Sequence, residues 1–330
     1  MKLLNSDHAP LGLGCWPIGG AMYAADGSSL GYSNANDEES VKALHAALNN
    51  GITVFDTAAA YGAGHSERLL GKVLGNRSDV MVVTKIGFDI DEKARTLAGE
   101  DSRPESVIPA IERCLERLGR ESIDLLLLHL NALPVDRAVA IFDEMQRAVD
   151  QGKIRSYGWS TDITNNAEAV AERSGFVAVE HAMHVLMDAP SMQKVVNDKD
   201  LVALIRSPLA MGLLSGKYGP DTKLPDDDVR STNPGWAKYY IDGRPNPEYV
   251  KRFQAVRELL QSGGRTTIQG ALAWLWAKSD RNIPIPGART VDQVEGLAAS
   301  LDFGPLPPKV MEEIEQLVGS DNISHGIEER

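Results

Sequence analysis

The chain has little cysteine, few aromatic residues and no excess of basic charge, and each shortage excludes something. Only two cysteines, Cys15 and Cys114, occur in 330 residues. Two thiols cannot make a disulfide framework, and their spacing matches no metal or redox motif. Lysine and arginine total 34 against 46 aspartates and glutamates, a formal net charge of −12. That balance argues against a nucleic-acid partner, whose binding surface needs a basic patch. No apolar run approaches the ~20 residues that span a bilayer, and Met1 to His8 lack the apolar core of a signal peptide. The expectation is a soluble cytoplasmic protein without membrane contact. The one run of like charge, Asp226-Asp227-Asp228, reads as a solvated loop. A complete dinucleotide-binding glycine fingerprint is also missing: Gly12-x-Gly14 and the glycines between Gly212 and Gly216 carry only fragments of it.

What is present is ordinary globular composition, 43% hydrophobic and 24% charged, and one unusual stretch. Val54-Phe55-Asp56 is a short apolar run ending in an acid; Thr57 and three alanines follow, then Tyr61-Gly62. The run reads as a buried strand and the continuation as the loop that leaves it. On this stretch alone, Asp56 and Tyr61 read equally well as a cap and a packing residue.

The surroundings repeat one phrase, a helical pattern followed by an apolar strand. Helices are expected at about 37–48, 66–74, 104–118, 135–151, 165–174, 191–198, 249–261 and 267–279, and strands at about 11–16, 53–56, 80–84, 123–128, 154–159, 177–180, 201–205 and 283–286. Alternating strands and helices imply a parallel sheet, and strands that are apolar throughout are buried on both faces. Eight such units without the glycine fingerprint favour a closed (β/α)8 TIM barrel over an open sheet. The whole chain, 1–330, is expected to form a single barrel domain, with 300–330 as a C-terminal segment. The segment 210–248 departs from the pattern. Its Gly, Pro, Asp and Asn clusters surround Trp236, Tyr239 and Tyr240, so it reads as a long loop over the C-terminal mouth, covering cofactor and substrate.

Barrel catalysis takes place at the C-terminal strand ends. The polar residues there are Asp56 with nearby Tyr61, Lys85, His129, Ser160, Glu180 and Arg206-Ser207. Asp56, Tyr61, Lys85 and His129 have a coherent joint chemistry. A tyrosine with an ordinary pKa near 10 is a poor acid at neutral pH; the ammonium of Lys85 favours its phenolate, and Asp56 holds and compensates Lys85. Tyr61 then donates a proton to an oxygen that becomes an alkoxide, and His129 hydrogen-bonds the same oxygen. No protein nucleophile with a partnered base appears, and no metal-ligand set. A hydride from a nicotinamide cofactor fills that gap.

These residues resemble a known family. Phe55-Asp56-Thr57-Ala58 with Tyr61-Gly62 is similar to the signature of the aldo-keto reductases. So, in order, are Val83-Thr84-Lys85, Leu126-Leu127-Leu128-His129, Gly158-Trp159-Ser160, Ser207-Pro208-Leu209 and the stretch from Ile283 to Arg289. The resemblance implies a (β/α)8 barrel that reduces an aldehyde or ketone with NADPH, the tetrad above being catalytic. It implies that Ser160 or Thr161 donates to the nicotinamide amide oxygen while Glu180, where the family usually has Gln, accepts from the amide nitrogen. Arg206 stands where an aromatic is common; stacked on the ring, its charge is expected to disfavour the cationic oxidised form. The pyrophosphate is assigned to Ser207, Leu209, Gly212, Leu213, Gly216 and Lys217. The adenosine end is assigned to Gly287, Ala288, Arg289 and Gln293, with Arg289 on the 2′-phosphate. On the substrate side the candidates are Trp16, Tyr32, Tyr61, His129, Trp159, Trp236 and Tyr240, with core packing the stronger reading for Trp159; Trp274 and Trp276 read as core. Two other readings keep the same barrel: a cofactor-binding regulatory subunit, as in potassium-channel β subunits, which the chain also resembles, and an alcohol or sugar dehydrogenase working toward oxidation.

Overall fold

The structure, a computed structural model, describes residues 2–3, 6–219, 221–236 and 238–318; most of the charged tail of the expected C-terminal segment, 319–330, lies outside them. Eight parallel strands form one sheet: β1 (Gly12–Gly14), β2 (Val54–Asp56), β3 (Met81–Ile86), β4 (Leu125–Leu128), β5 (Tyr157–Ser160), β6 (Phe176–Ala182), β7 (Val202–Arg206) and β8 (Asn282–Pro284). Each pairs with the next in sequence. The amide of Gly14 donates to the carbonyl of Pro286 at 3.0 Å, and Gly14 bridges Gly287 in parallel, which joins the first unit to the last. The chain is a (β/α)8 barrel.

Strand periodicity explains both the barrel and its site. Successive side chains point to opposite faces of a strand. Val54, Met81, Val83, Leu125, Leu127, Ala178, Val202, Leu204 and Ile283 pack together inside the barrel. Their neighbours Phe55, Val82, Leu126, Val179, Ala203 and Ile205 join the core shared with the helices. Two residues beyond the last interior apolar position stand Asp56, Lys85, His129, Glu180 and Arg206, in phase with the interior. The polar site is thus the layer that follows where the apolar filling stops.

The helical layer comprises α1 (Asp37–Asn49), α2 (His65–Leu74), α3 (Val107–Leu118), α4 (Val135–Asp150), α5 (Thr164–Val170), α6 (Pro190–Asp198), α7 (Pro247–Leu260), α8 (Thr267–Lys278), α9 (Val291–Ala298) and α10 (Pro308–Val318). Local chemistry sets their ends. Asn36 caps α1 by accepting from the Glu39 amide, with three acids in the first turn, and Thr266 and Gln269 form a capping box on α8. Pro104 opens a short 3-10 turn, Pro104–Ser106, so α3 begins three residues later than the proline suggests. The expected helix at 165–174 stops at Val170.

Two larger features also depart from the sequence reading. A hairpin of Phe88–Asp91 and Thr96–Glu100, joined by Tyr23–Ala24, makes a three-stranded sheet beyond β3. Its signal was the alternation of Phe88, Asp89, Ile90 and Asp91, half-buried residues against exposed acids. The second departure is Asp228, which is not solvated with Asp226 and Asp227 but fully buried. It accepts from Arg230 and from the amide and hydroxyl of Ser33, while the amide of Val229 donates to the carbonyl of Gly31 at 2.8 Å. The segment after 215 is thereby fastened to the loop after β1.

Candidate active site

β2, β3 and β4 are neighbours in the sheet, so their C-terminal ends deliver Asp56, Lys85 and His129 side by side. Tyr61 arrives from the loop after β2, where Gly62 adopts a positive φ of 62°. The Lys85 ammonium donates to both Asp56 oxygens at 2.7 Å and to the Thr57 carbonyl at 3.0 Å, and its nitrogen lies 3.3 Å from the Tyr61 hydroxyl. The His129 ring stands edge-on to Tyr61, centroids 6.1 Å apart. A fifth member joins them. Glu180 Oε2 lies 3.2 Å from the Lys85 nitrogen at ion-pair distance, but without hydrogen-bond geometry, and Glu180 Oε1 accepts from Ser160 Oγ at 3.2 Å.

Burial decides the protonation states. Burial disfavours the Lys85 ammonium, yet the charges of Asp56 and Glu180 outweigh it and hold the lysine charged, above its ordinary range. Tyr61 corrects the sequence expectation. Burial pushes its pKa up, and the nearby Lys85 offsets only part of that. The phenol is therefore a retained acid in the resting site rather than one made more acidic by lysine. Burial, then Lys85 and Arg206, keep the His129 pKa well below its ordinary value. The imidazole is neutral at neutral pH, able to donate from one ring nitrogen. Its Nδ1 is buried without a hydrogen-bond partner.

The residues expected to meet a cofactor form an arc on the other side of the mouth. Ser160 ends β5 and is committed to Glu180. The Thr161 hydroxyl donates to the carbonyl of Asn131 at 2.7 Å, so in this arrangement its donor is already engaged. Arg206 is half-buried at the end of β7 and pairs with Asp162. Its charge is thus partly offset, which weakens the basis for the expected bias against a cationic ring. Asp162, not anticipated from the sequence, also accepts from the Ala182 amide at 2.8 Å, and its own amide donates to Asn131 Oδ1 at 2.7 Å. Beyond β7 the backbone is left-handed at Ser207, Ala210, Met211, Gly212 and Gly216; Leu209 is half-buried, Leu213 buried and Lys217 exposed. Gly287 is exposed and Ala288 buried after β8. Arg289 donates from its side chain to the carbonyl of Ser33 and from its amide to Gln293 Oε1 at 3.0 Å.

Aromatic rings line the near side. Trp16 stacks on Tyr61 with centroids 5.7 Å apart, meets Tyr32 edge-on at 5.2 Å and touches Trp236 at 5.8 Å. Phe88 packs edge-on to His129 at 5.2 Å; it was missed because the hairpin carrying it was missed. Tyr32 and Tyr240 serve mainly another group. The guanidinium of Arg230 lies over the rings of Tyr32, Tyr218 and Tyr240 at 5.1, 5.4 and 5.5 Å. It also donates to the Met211 carbonyl at 3.2 Å. Trp159 is fully buried and donates to the Leu130 carbonyl, and Trp274 is buried; Trp276 is half-buried and donates to the carbonyl of Pro10. Among the described residues no group of His, Cys, Asp and Glu can hold a metal ion, and no helix is long and apolar enough to cross a membrane.

Comparison with known proteins identifies the family and the fold. The sequence profile of the Aldo/keto reductase family matches residues 10–318. The chain is 28% identical over 300 residues to the aldo-keto reductase YhdN of Bacillus subtilis, covering 87% of this chain and 83% of that one. It is 28% identical over 322 residues to the aldo-keto reductase yakc [NADP(+)] of Schizosaccharomyces pombe, covering 94% and 87%. Among solved structures it is similar to a glycerol dehydrogenase of Gluconobacter oxydans, with TM-score 0.77, 27% identity and coverage of 95% and 92%. An aldo-keto reductase of Bacillus halodurans in its holo form shares the fold at TM-score 0.77 and 22% identity, covering 98% and 96%.

Proposed function

Since the chain belongs to the aldo/keto reductase family, we propose that it is an NADP(H)-dependent oxidoreductase that reduces an aldehyde or ketone, with Tyr61 as the general acid. The observation that carries this reading is the Lys85 ammonium, tied to Asp56 at 2.7 Å and standing 3.3 Å from the Tyr61 hydroxyl at the mouth of the barrel. A cofactor fits the residues present. Glu180 Oε2 and His129 Nδ1 are buried and without hydrogen-bond partners, and the left-handed backbone at 210–212 and 216 lets main-chain groups approach a phosphate. When bound, the nicotinamide supplies the hydride. Ser160, Thr161, Glu180 and Arg206 are assigned to its ring end, 207–217 to the pyrophosphate, and Gly287, Ala288, Arg289 and Gln293 to the adenosine end.

The protein's own part is proton delivery and placement. Neutral His129 donates to the carbonyl oxygen and fixes it beside Tyr61. Tyr61 gives its proton to that oxygen as negative charge develops, and Lys85 stabilises the phenolate left behind. Asp56 holds Lys85 in place. Trp16, Phe88 and Trp236 offer apolar walls to the substrate, and the 210–248 segment is assigned as the cover of the site.

One observation favours a second direction on the same site. Glu180 sets a second carboxylate beside Lys85, which favours binding of the cationic oxidised cofactor, the form that alcohol oxidation consumes. A panel of aldehydes, ketones and polyols assayed with NADPH and NADP+ tests both directions. Tyr61→Phe should lower kcat by about a hundredfold or more in whichever direction is active, with cofactor affinity little changed. Near-full activity in Tyr61→Phe would remove the proposed acid.

A further inference from the structure

Lys85 faces more negative charge than it can compensate. Asp56 takes two of its hydrogen bonds at 2.7 Å, Glu180 Oε2 lies 3.2 Å from the same nitrogen, and the Tyr61 hydroxyl lies 3.3 Å away. Asp56, Lys85 and Glu180 are 2%, 0% and 1% exposed. Charge buried this deeply needs a partner, and one ammonium balances one carboxylate. Among the described residues, the further cation facing the pair is Arg206, from β7, whose charge reaches Glu180 but is paired with that of Asp162. The Cys15 thiol, after β1, is kept neutral by burial. His129, from β4, is kept neutral. Tyr61 is a protonated phenol, and Ser160, from β5, is uncharged. With both carboxylates ionised the cluster carries one uncompensated negative charge; with one proton on the pair it is neutral.

The oxidised nicotinamide ring is a cation and the reduced ring is not. The ring must lie beside this cluster, because hydride goes to the carbon of the carbonyl whose oxygen takes the Tyr61 proton. We propose that the Asp56–Glu180 pair holds one proton while the reduced cofactor is bound and releases it when the oxidised ring is present, making the pair the proton reserve of the site. This inference rests on the NADP(H) reading above.

The electrons and protons balance. The carbonyl carbon gains hydride, with its electron pair, and the carbonyl oxygen gains the Tyr61 proton. The phenolate recovers a proton from Lys85, and Lys85 recovers one from the carboxylate pair, which lies within 3.2 Å of its nitrogen. The carbonyl has become an alcohol, the ring has become cationic, and the pair has lost one proton. The cluster and ring together are neutral before and after. Glu180 is the looser of the two anions, because Asp56 takes both short hydrogen bonds from Lys85. Burial, followed by the charge of Glu180, holds the Asp56 carboxyl well above its ordinary value despite Lys85, as expected of two carboxylates that resist losing their last proton. The pair thus acts on Tyr61 through Lys85, storing the proton and positioning the ammonium.

Titration calorimetry of the full-length protein in buffers of different ionisation enthalpy counts the protons. Binding of NADP+ should release about one proton per site and binding of NADPH none. The ratio of Kd for NADP+ to Kd for NADPH should rise up to about tenfold per pH unit between pH 8 and pH 6, because protons compete with the oxidised ring. The 2′-phosphate is common to both ligands and cancels in the ratio. Glu180→Gln should abolish the release, flatten the ratio against pH and weaken NADP+ at pH 8 by about tenfold, leaving NADPH within a few-fold. Asp56→Asn, which also leaves one carboxylate on Lys85, should lose the release as well. Equal proton counts for the two cofactors on the unsubstituted protein would overturn the proposal while leaving the cofactor reading intact; failure to bind either cofactor would overturn both.

Discussion

The residues of the site divide by what compensates them. Lys85 is shared between two carboxylates, Arg206 is matched by Asp162, and Arg289 reaches only a backbone carbonyl, that of Ser33. Of these cations, Arg289 is the one without a carboxylate partner among the described ion pairs, which suits it to a phosphate. Arg289→Ala should raise the KM for NADPH by about tenfold, the scale of a lost charge-assisted hydrogen bond, and leave that for NADH unchanged; steady-state kinetics with both cofactors checks this. At this scale the sequence was informative where chemistry is carried by residue type. Asp56, Tyr61, Lys85 and His129 stand out as polar residues ending apolar strands. Pairing was not visible. Nothing local says that Asp162 neutralises Arg206 across 44 positions, or that Glu180 reaches Lys85. The effect of lysine on Tyr61 was misjudged because burial, a tertiary quantity, outweighs it.

Elements position these residues through alternation and close backbone contact. The strands were legible because apolar runs of strand length recur with helical patterns between them, and the alternation then fixes which side chains enter the barrel. The loop after β2 shows what alternation does not convey. A Cβ added at Gly62 would stand 1.9 Å from the carbonyl oxygen of Gly19, on a backbone of φ 62°. The loop bearing Tyr61 therefore lies backbone to backbone against the loop after β1, and only glycine fits. Gly62→Ala should destabilise the fold by about 1–3 kcal/mol from its backbone conformation alone, more once the clash is included. Activity should fall with it, because Tyr61 is the adjacent residue; denaturant unfolding together with kcat checks both. The hairpin at Phe88–Asp91 and Thr96–Glu100 was overlooked because it interrupts the strand–helix rhythm on which the rest was read.

The whole molecule depends on a few long-range ties. Asp228 and Arg230 link the segment after 215 to Ser33 and to the Met211 carbonyl, joining the loop after β1 to the loop after β7. Their role was hidden in the sequence, where Asp228 is one of three consecutive acids and only burial sets it apart. Burial pushes the Asp228 carboxyl up, but the hydrogen bonds and charge of Arg230 outweigh it and leave it below its ordinary value. A carboxyl depressed in the folded state stabilises above its unfolded pKa, near 4, and that contribution is lost as pH falls through the folded value. Asp228→Ala, which strands a buried guanidinium, should cost about 3 kcal/mol, seen as a lower unfolding midpoint at pH 7 and a smaller difference from the unsubstituted protein in acid. The junction of β1 with the end of β8 carries a different consequence. Gly12 and Gly14 leave room for Ile285, whose carbonyl oxygen would lie 2.6 Å from a Cβ on Gly14. During synthesis β1 emerges early and waits as an open sheet edge until the last strand arrives. An edge of three residues, two of them glycine, is a poor template for another chain, so the spacing that lets the barrel close also protects it from aggregating while it is still open.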